Sequence, residues 1–318
     1  MGNARTGGAF ARGEMGAARL AAPGSGAPER PLYHPKIARI PVKQSKRSNC
    51  IKRIKLVRSK KMHTTMAILN QKGGVGKTTT AVTLASGLAR NGYHVLLIDL
   101  DTQGNVADSL GLPHSDDLRR LLSPDLRFPL EQVITSSGID HLDVIRSDKS
   151  TTALKQTLAG VTMREYVLAD ALEGVPYDVI LLDCAPSADL LHFAALVAAD
   201  YLLIPTRLDK LAVNGVRDAL QTLAALKRIS RCQLAGILPT FYERVTLESH
   251  EQLIHLAQTF GKLVLPPIPQ DTQCRVATRY GKTLWDYAPN ARALNGYEQG
   301  NRRVGGYLQV LERVKEWL

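Results

Sequence analysis

The sequence predicts an α/β fold: a mostly parallel sheet with helices on both faces, in one domain. Three observations predict it. From Met66 onward, short near-continuous apolar runs alternate with amphipathic stretches, the pattern of strands buried on both faces and separated by covering helices. A glycine-rich segment at 71–79 joins the first run to the first helix. The 318 residues are 44% hydrophobic and 22% charged, enough apolar material for a sizeable core, which excludes wholesale disorder.

Residues 1–61 come first and differ from the rest. They are rich in Gly, Ala, Pro, Arg and Lys, hold 15 Lys/Arg against 2 Asp/Glu, and show no sustained period. Such a segment cannot bury enough apolar surface to offset its ordering entropy, so a basic, disordered arm is expected. Met62 or Met66 as the true start is the alternative. Its densest charge run is Lys52, Arg53, Lys55, Arg58, Lys60 and Lys61. The formal charge of +12 therefore belongs to the arm, because 62–318, the expected folded domain, hold 26 Lys/Arg against 27 Asp/Glu.

Within that domain strands are expected at 66–70, 95–99, 142–146, 179–183, 201–205, 234–239 and 263–268. Helices are expected at 77–91, 190–199, 216–229 and 247–260. The stretch 307–318 reads as a docked terminal helix with Leu308, Leu311, Val314 and Leu318 on one face. The most apolar run, 179–204, is interrupted by Asp183, Asp189, His192 and Asp200, which excludes a membrane span there. Cys50, Cys184, Cys232 and Cys274 lie far apart, a spacing that fits neither a disulfide framework nor a zinc site.

Gln71-Lys72-Gly73-Gly74-Val75-Gly76-Lys77-Thr78-Thr79 follows the first strand and opens a helix. Glycines let backbone N–H groups close on phosphates, and the helix N-terminus adds its positive end. The motif predicts Gly73, Gly74, Val75, Gly76, Lys77, Thr78 and Thr79 as nucleotide ligands, with Lys77 on the β- and γ-phosphates and the Thr78 hydroxyl on Mg²⁺. Gln71 stands where the strict Walker A pattern has glycine, and an extra lysine, Lys72, opens the loop. This is a deviant P-loop NTPase signature.

Here the sequence resembles the ParA/MinD group of deviant Walker A ATPases, and within it the ParA-like partition ATPases, over about four-fifths of the chain from Met66 on. The resemblance implies an Mg²⁺-dependent ATPase in which Lys72 reaches across a homodimer to the other subunit's nucleotide. Residues 95–105 resemble the second strand and switch I. By that likeness Asp101 orients the attacking water and Asp99 supports Mg²⁺; Thr102 stands where the family usually has proline. Residues 179–183 form an apolar strand ending in Asp183, as a magnesium-binding Walker B carboxylate requires, and Cys184-Ala185-Pro186-Ser187 continue as switch II. Segments around Pro205, Tyr242 and Pro269 resemble the family's base and dimer face.

The family also implies non-specific binding to double-stranded DNA, a ParB-like partner that stimulates hydrolysis, and a cytoplasmic, nucleoid-associated protein with no membrane contact. Residues 201–318 hold 16 Lys/Arg against 10 Asp/Glu, with Arg244, Arg275, Arg279, Arg302 and Arg303 as the expected phosphate contacts. A MinD-like membrane-cycling ATPase or one that positions a protein cargo is the alternative. A DNA-binding repressor is disfavoured, because 1–61 hold no helix-turn-helix pattern.

Overall fold

The computed structural model describes residues 63–300 and 302–318. The expected arm and the Met62 alternative lie outside these residues, whereas Met66, the other alternative, sits buried within the first strand. In chain order the strands are β1 (Thr64–Ile68), β2 (Val95–Asp99), β3 (Thr135–Ile139), β4 (Leu142–Ile145), β5 (Val179–Asp183), β6 (Tyr201–Arg207), β7 (Gln233–Thr240), β8 (Tyr297–Gln299) and β9 (Arg302–Val304). The helices are α1 (Lys77–Arg90), α2 (Asn105–Leu110), α3 (Asp117–Leu122), α4 (Thr151–Ala159), α5 (Val167–Ala171), α6 (Leu190–Ala198), α7 (Ala212–Ala225), α8 (Leu247–Phe260), α9 (Gln273–Arg279), α10 (Leu284–Tyr287), α11 (Arg292–Asn295) and α12 (Tyr307–Lys315).

Among the described residues one seven-stranded sheet runs β3-β4-β2-β5-β1-β6-β7, parallel throughout except for the β3–β4 hairpin. The central strands are buried along their length, and alternate residues face opposite sides. Met66, Ile68, Leu97 and Leu181 join the core under α1 and α12, while Ala67, Leu96, Ile98 and Leu182 join the one under α6 and α7. Both faces are thus covered, as the unbroken apolar runs predict. The sheet order reverses at β1, which has β5 on one side and β6 on the other. The carboxyl ends beside such a switch point form a ligand crevice.

Three elements differ from expectation. The run 263–268 forms no strand; it contributes the bridge Ile237–Val264, and Pro269 just beyond it bridges Tyr242. Pro266, Pro267 and Pro269 lack the N–H that a ladder needs. The seventh strand is β3 instead, a Thr-Ser-Ser-Gly-Ile edge segment with too little apolar content to be read as a strand. The terminal helix buries Tyr307, Val310, Leu311 and Val314, whereas Leu308 and Leu318 are exposed. The expected face was thus rotated by about one residue, because the buried Tyr307 hydroxyl pairs with Thr80 of α1 at 3.0 Å and the aromatic ring takes the place assigned to Leu308.

Candidate nucleotide site

β1 delivers the chain into the glycine-rich loop, and α1 begins at Lys77. Gly74 and Gly76 adopt φ of 69° and 86°, left-handed values that favour glycine. They turn the loop back on itself so that α1 starts under it. Gly76 caps the helix without a side-chain hydrogen bond, and no acidic residue lies in the first turn. The amides of this turn are thereby left for an anion, aided by the helix dipole.

The loop is clamped from both ends. The side-chain amide of buried Asn70 donates to the Pro205 carbonyl at 2.8 Å and its Oδ1 accepts the Lys72 N–H at 3.0 Å. At the far end, Thr240 Oγ1 donates to the Val75 carbonyl at 2.9 Å. Phe241, with φ of 56°, places its ring edge 3.7 Å from where a β-carbon on Gly76 would sit, and the Arg207 guanidinium lies over that ring. Lys77 is buried and donates to the Lys72 carbonyl at 3.1 Å. Burial lowers its pKa, opposed by the charges of Asp183, Cys184 and Asp101. A phosphate would offer this lysine a stronger, charged acceptor than a carbonyl.

Asp99 and Asp183 end β2 and β5 and are both fully buried. The Asp99 oxygens accept the N–H groups of Asp101 at 2.9 Å and Val106 at 3.1 Å. Asp99 therefore anchors the loop that carries Asp101. The Asp101 carbonyl accepts the Ser147 hydroxyl, and its Oδ1 accepts the Gln103 N–H at 3.1 Å. Both Asp183 oxygens, by contrast, lack a partner of hydrogen-bond geometry. Burial pushes Asp183 up to about 7, held down by the Thr78 hydroxyl and Lys77 and raised by Asp101. Burial beside Asp183 likewise holds Asp99 well above the carboxylate range. Two buried carboxylate oxygens with only a threonine hydroxyl beside them are the hard donor set that a magnesium ion takes, so these residues fit the cation.

A family model described as an AAA domain matches residues 63–235. The chain is 35% identical over 254 residues to the chromosome-partitioning ATPase Soj of Thermus thermophilus, covering 79% of this chain and 96% of that one. It is 33% identical to the chromosome partitioning protein ParA of Caulobacter vibrioides, over 75% and 92% of the two chains. The chain belongs to the ParA/MinD family of P-loop ATPases. A solved structure of cobyrinic acid a,c-diamide synthase from Mycobacterium smegmatis, bound to an ATP analogue and magnesium, has a TM-score of 0.61 at 30% identity. The match covers 69% of this chain and 92% of that one.

As a member of this family the chain is an ATPase that uses ATP and Mg²⁺. Bound Mg²⁺ supplies positive charge to the β- and γ-phosphate oxygens. The structure gathers Lys72 to Thr79, Asp99, Asp101 and Asp183 around the carboxyl ends of β1, β2 and β5. Pro205 lies against the loop's stem through Asn70. Tyr242 and Pro269 are bridged one strand further out, and the Tyr242 ring meets Tyr297 edge-on at 5.8 Å. Of the five arginines, Arg244 donates to the Glu298 carbonyl in the β8–β9 hairpin that carries exposed Arg302 and Arg303. Arg275 and Arg279 stand one turn apart on the exposed side of α9. Sequence reasoning missed Asn70, Ser147 and Asp209 as organisers of the site. It placed Thr240 and Phe241 only within the segment resembling the base and dimer face, not as clamps on the loop.

Proposed function

We propose that this ATPase partitions DNA: two copies close on ATP, the dimer binds double-stranded DNA without sequence preference, and a ParB-like partner stimulates hydrolysis and release. The names of the partitioning relatives support this reading. The observation that carries it is Lys72. Its ammonium group is not drawn into its own phosphate loop but lies at the rim, about 30% exposed and paired with Asp209, where it can reach a facing subunit. In this reading residues 62–318 are the ATPase domain and 1–61 a basic arm that adds non-specific affinity.

The catalytic roles follow from position. Lys77 and the first amides of α1 hold the phosphates, Thr78 and Asp183 hold the cation, and Asp99 fixes the loop from which Asp101 Oδ2 orients the attacking water. Charge neutralisation and positioning account for the chemistry. Arg244, Arg302 and Arg303 share one exposed surface and, with Arg275 and Arg279, supply density of positive charge for phosphates. In this reading the protein works in the cytoplasm, associated with the nucleoid. Burial of Tyr307, Val310, Leu311 and Val314 commits the apolar side of α12 to the core, which favours DNA over a membrane surface. No helix among the described residues is long and apolar enough to cross a membrane.

Light scattering after size exclusion tests the dimer. A mass of two chains with ATP and one with ADP, with Lys72→Ala staying at one chain in both, supports the reading. A Lys72→Ala protein that dimerises as well as the parent contradicts it.

A further inference from the structure

Three consecutive residues at the root of the phosphate loop are tied to β6, to α7 and to the turn between them. Asn70 donates to the Pro205 carbonyl at 2.8 Å, Gln71 Nε2 donates to Thr222 Oγ1 at 3.0 Å, and Lys72 Nζ donates to Asp209 Oδ2 at 2.5 Å. The first tie is buried and neutral. The third is an ion pair whose two side chains are each about 30% exposed, so water can replace either partner as it separates.

Asp209 is itself held in place. Its Oδ1 accepts the Leu211 N–H at 3.0 Å, and its carbonyl accepts the Ala212 N–H at 2.9 Å, where α7 begins. Gly215, on the first turn of α7, lets the helix approach the loop: a β-carbon there would meet Asn70 Oδ1 at 3.3 Å. The carboxylate is thus fixed to a rigid helix start, while the lysine is a flexible four-carbon arm. Of the two, the lysine is the one that moves.

We propose that Asp209 is a latch on Lys72: it holds the lysine folded onto its own protomer, and the chain must break this pair before Lys72 can engage a second copy. Asp209 is a positioning residue, acting through Lys72 and setting the free energy at which the dimer forms. This rests on the reading that Lys72 acts across a dimer. Each protomer carries one latch, so a dimer breaks two, and the effect of removing it enters twice.

The test is sedimentation equilibrium of the full chain with Mg²⁺ and a slowly hydrolysed ATP analogue, comparing the parent with Asp209→Asn, Asp209→Glu and Lys72→Ala. Asparagine keeps the Oδ1 acceptor for Leu211 and removes only the charge. Partly exposed ion pairs account for about two- to fivefold each, so Asp209→Asn should lower the dimer dissociation constant by about four- to twenty-fivefold, and Asp209→Glu should restore it. A second readout needs no nucleotide: acetylation of Lys72 by an amine-reactive ester, followed by mass spectrometry, should be faster in Asp209→Asn than in the parent. An Asp209→Asn dimer no tighter than the parent's, with unchanged Lys72 acetylation, overturns the latch while leaving the dimer reading intact. A parent chain that stays monomeric with the analogue overturns the dimer reading, and the latch falls with it.

Discussion

Asp99 and Asp183 stand opposite each other in the parallel register of β2 and β5, and both carboxyls are fully buried. Two carboxylates this close in a desolvated place cannot both ionise cheaply. The fold resolves the conflict unequally: Asp99 receives two backbone N–H groups, while Asp183 receives none and has only the Thr78 hydroxyl beside it. The proposed roles of anchor for Asp99 and cation ligand for Asp183 follow from this difference.

Asp183 makes the nucleotide-free fold sensitive to pH. Its folded pKa of about 7 lies above the ordinary 3.8, mainly through burial. Between those values the folded chain keeps a proton that the unfolded chain releases, so stability falls as pH rises through this window. Asp183→Asn should reduce that slope, leaving the part that the raised Asp99 contributes, and raise the nucleotide-free Tm at pH 8 by about 2–4 °C, the effect of roughly 1 kcal/mol in a domain of this size. It should also abolish the extra stabilisation that Mg²⁺ adds to ATP. Thermal melts from pH 5 to 8, with and without MgATP, check both.

In the proposed reading Lys77 is the main phosphate ligand. Lys77→Ala should weaken ATP binding by about 100-fold or more, the loss of a charge-assisted hydrogen bond worth roughly 3 kcal/mol. Isothermal titration with an ATP analogue measures it, and an affinity within threefold of the parent removes Lys77 from the phosphates.

In the proposed reading Asp101 separates binding from turnover. Asp101→Ala should retain the ATP-bound dimer and lower kcat by about 100-fold, in the range of a lost proton-directing group. Ser147→Ala, which frees the Asp101 carbonyl, should lower kcat by less. Steady-state phosphate release, paired with light scattering, checks the separation; normal hydrolysis by Asp101→Ala contradicts the switch I assignment.

Thr240 clamps the phosphate loop from the end of β7. Thr240→Val keeps the shape and removes the bond to the Val75 carbonyl, at a cost of about 0.5–1.5 kcal/mol. A lower Tm and a few-fold weaker ATP affinity are expected together, read by thermal melts and titration.

Much of this was legible in the sequence, for identifiable reasons. The phosphate loop shows because left-handed positions such as Gly74 and Gly76 demand glycine, and the central strands show because burial on both faces leaves unbroken apolar runs. Thus β2 and β5 occupy 95–99 and 179–183 as expected. What stayed hidden depends on contacts between distant residues. Asp209 lies 137 positions from Lys72 and Thr240 lies 165 from Val75, so no local pattern marks either. β3 is held by its hairpin with β4 rather than by its own apolar content, and 263–268 is apolar yet its prolines limit it to isolated bonds with β7 instead of a continuous ladder. Helix α7 begins four residues before its apolar periodicity suggests; its first turn buries Ala212 and Val213 and sets Gly215 against Asn70 at the loop's stem.

The measurement that tests the central claim most directly is fluorescence polarisation on random duplex DNA with ATP, with ADP and without nucleotide, at low and moderate salt. It should use the full chain and one beginning at Met62, since Met66 lies inside β1 and a start there would cut the strand. The account predicts tight binding with ATP alone, weakening steeply with salt and retained by the shorter chain. Binding that ignores nucleotide and disappears with residues 1–61 would contradict it.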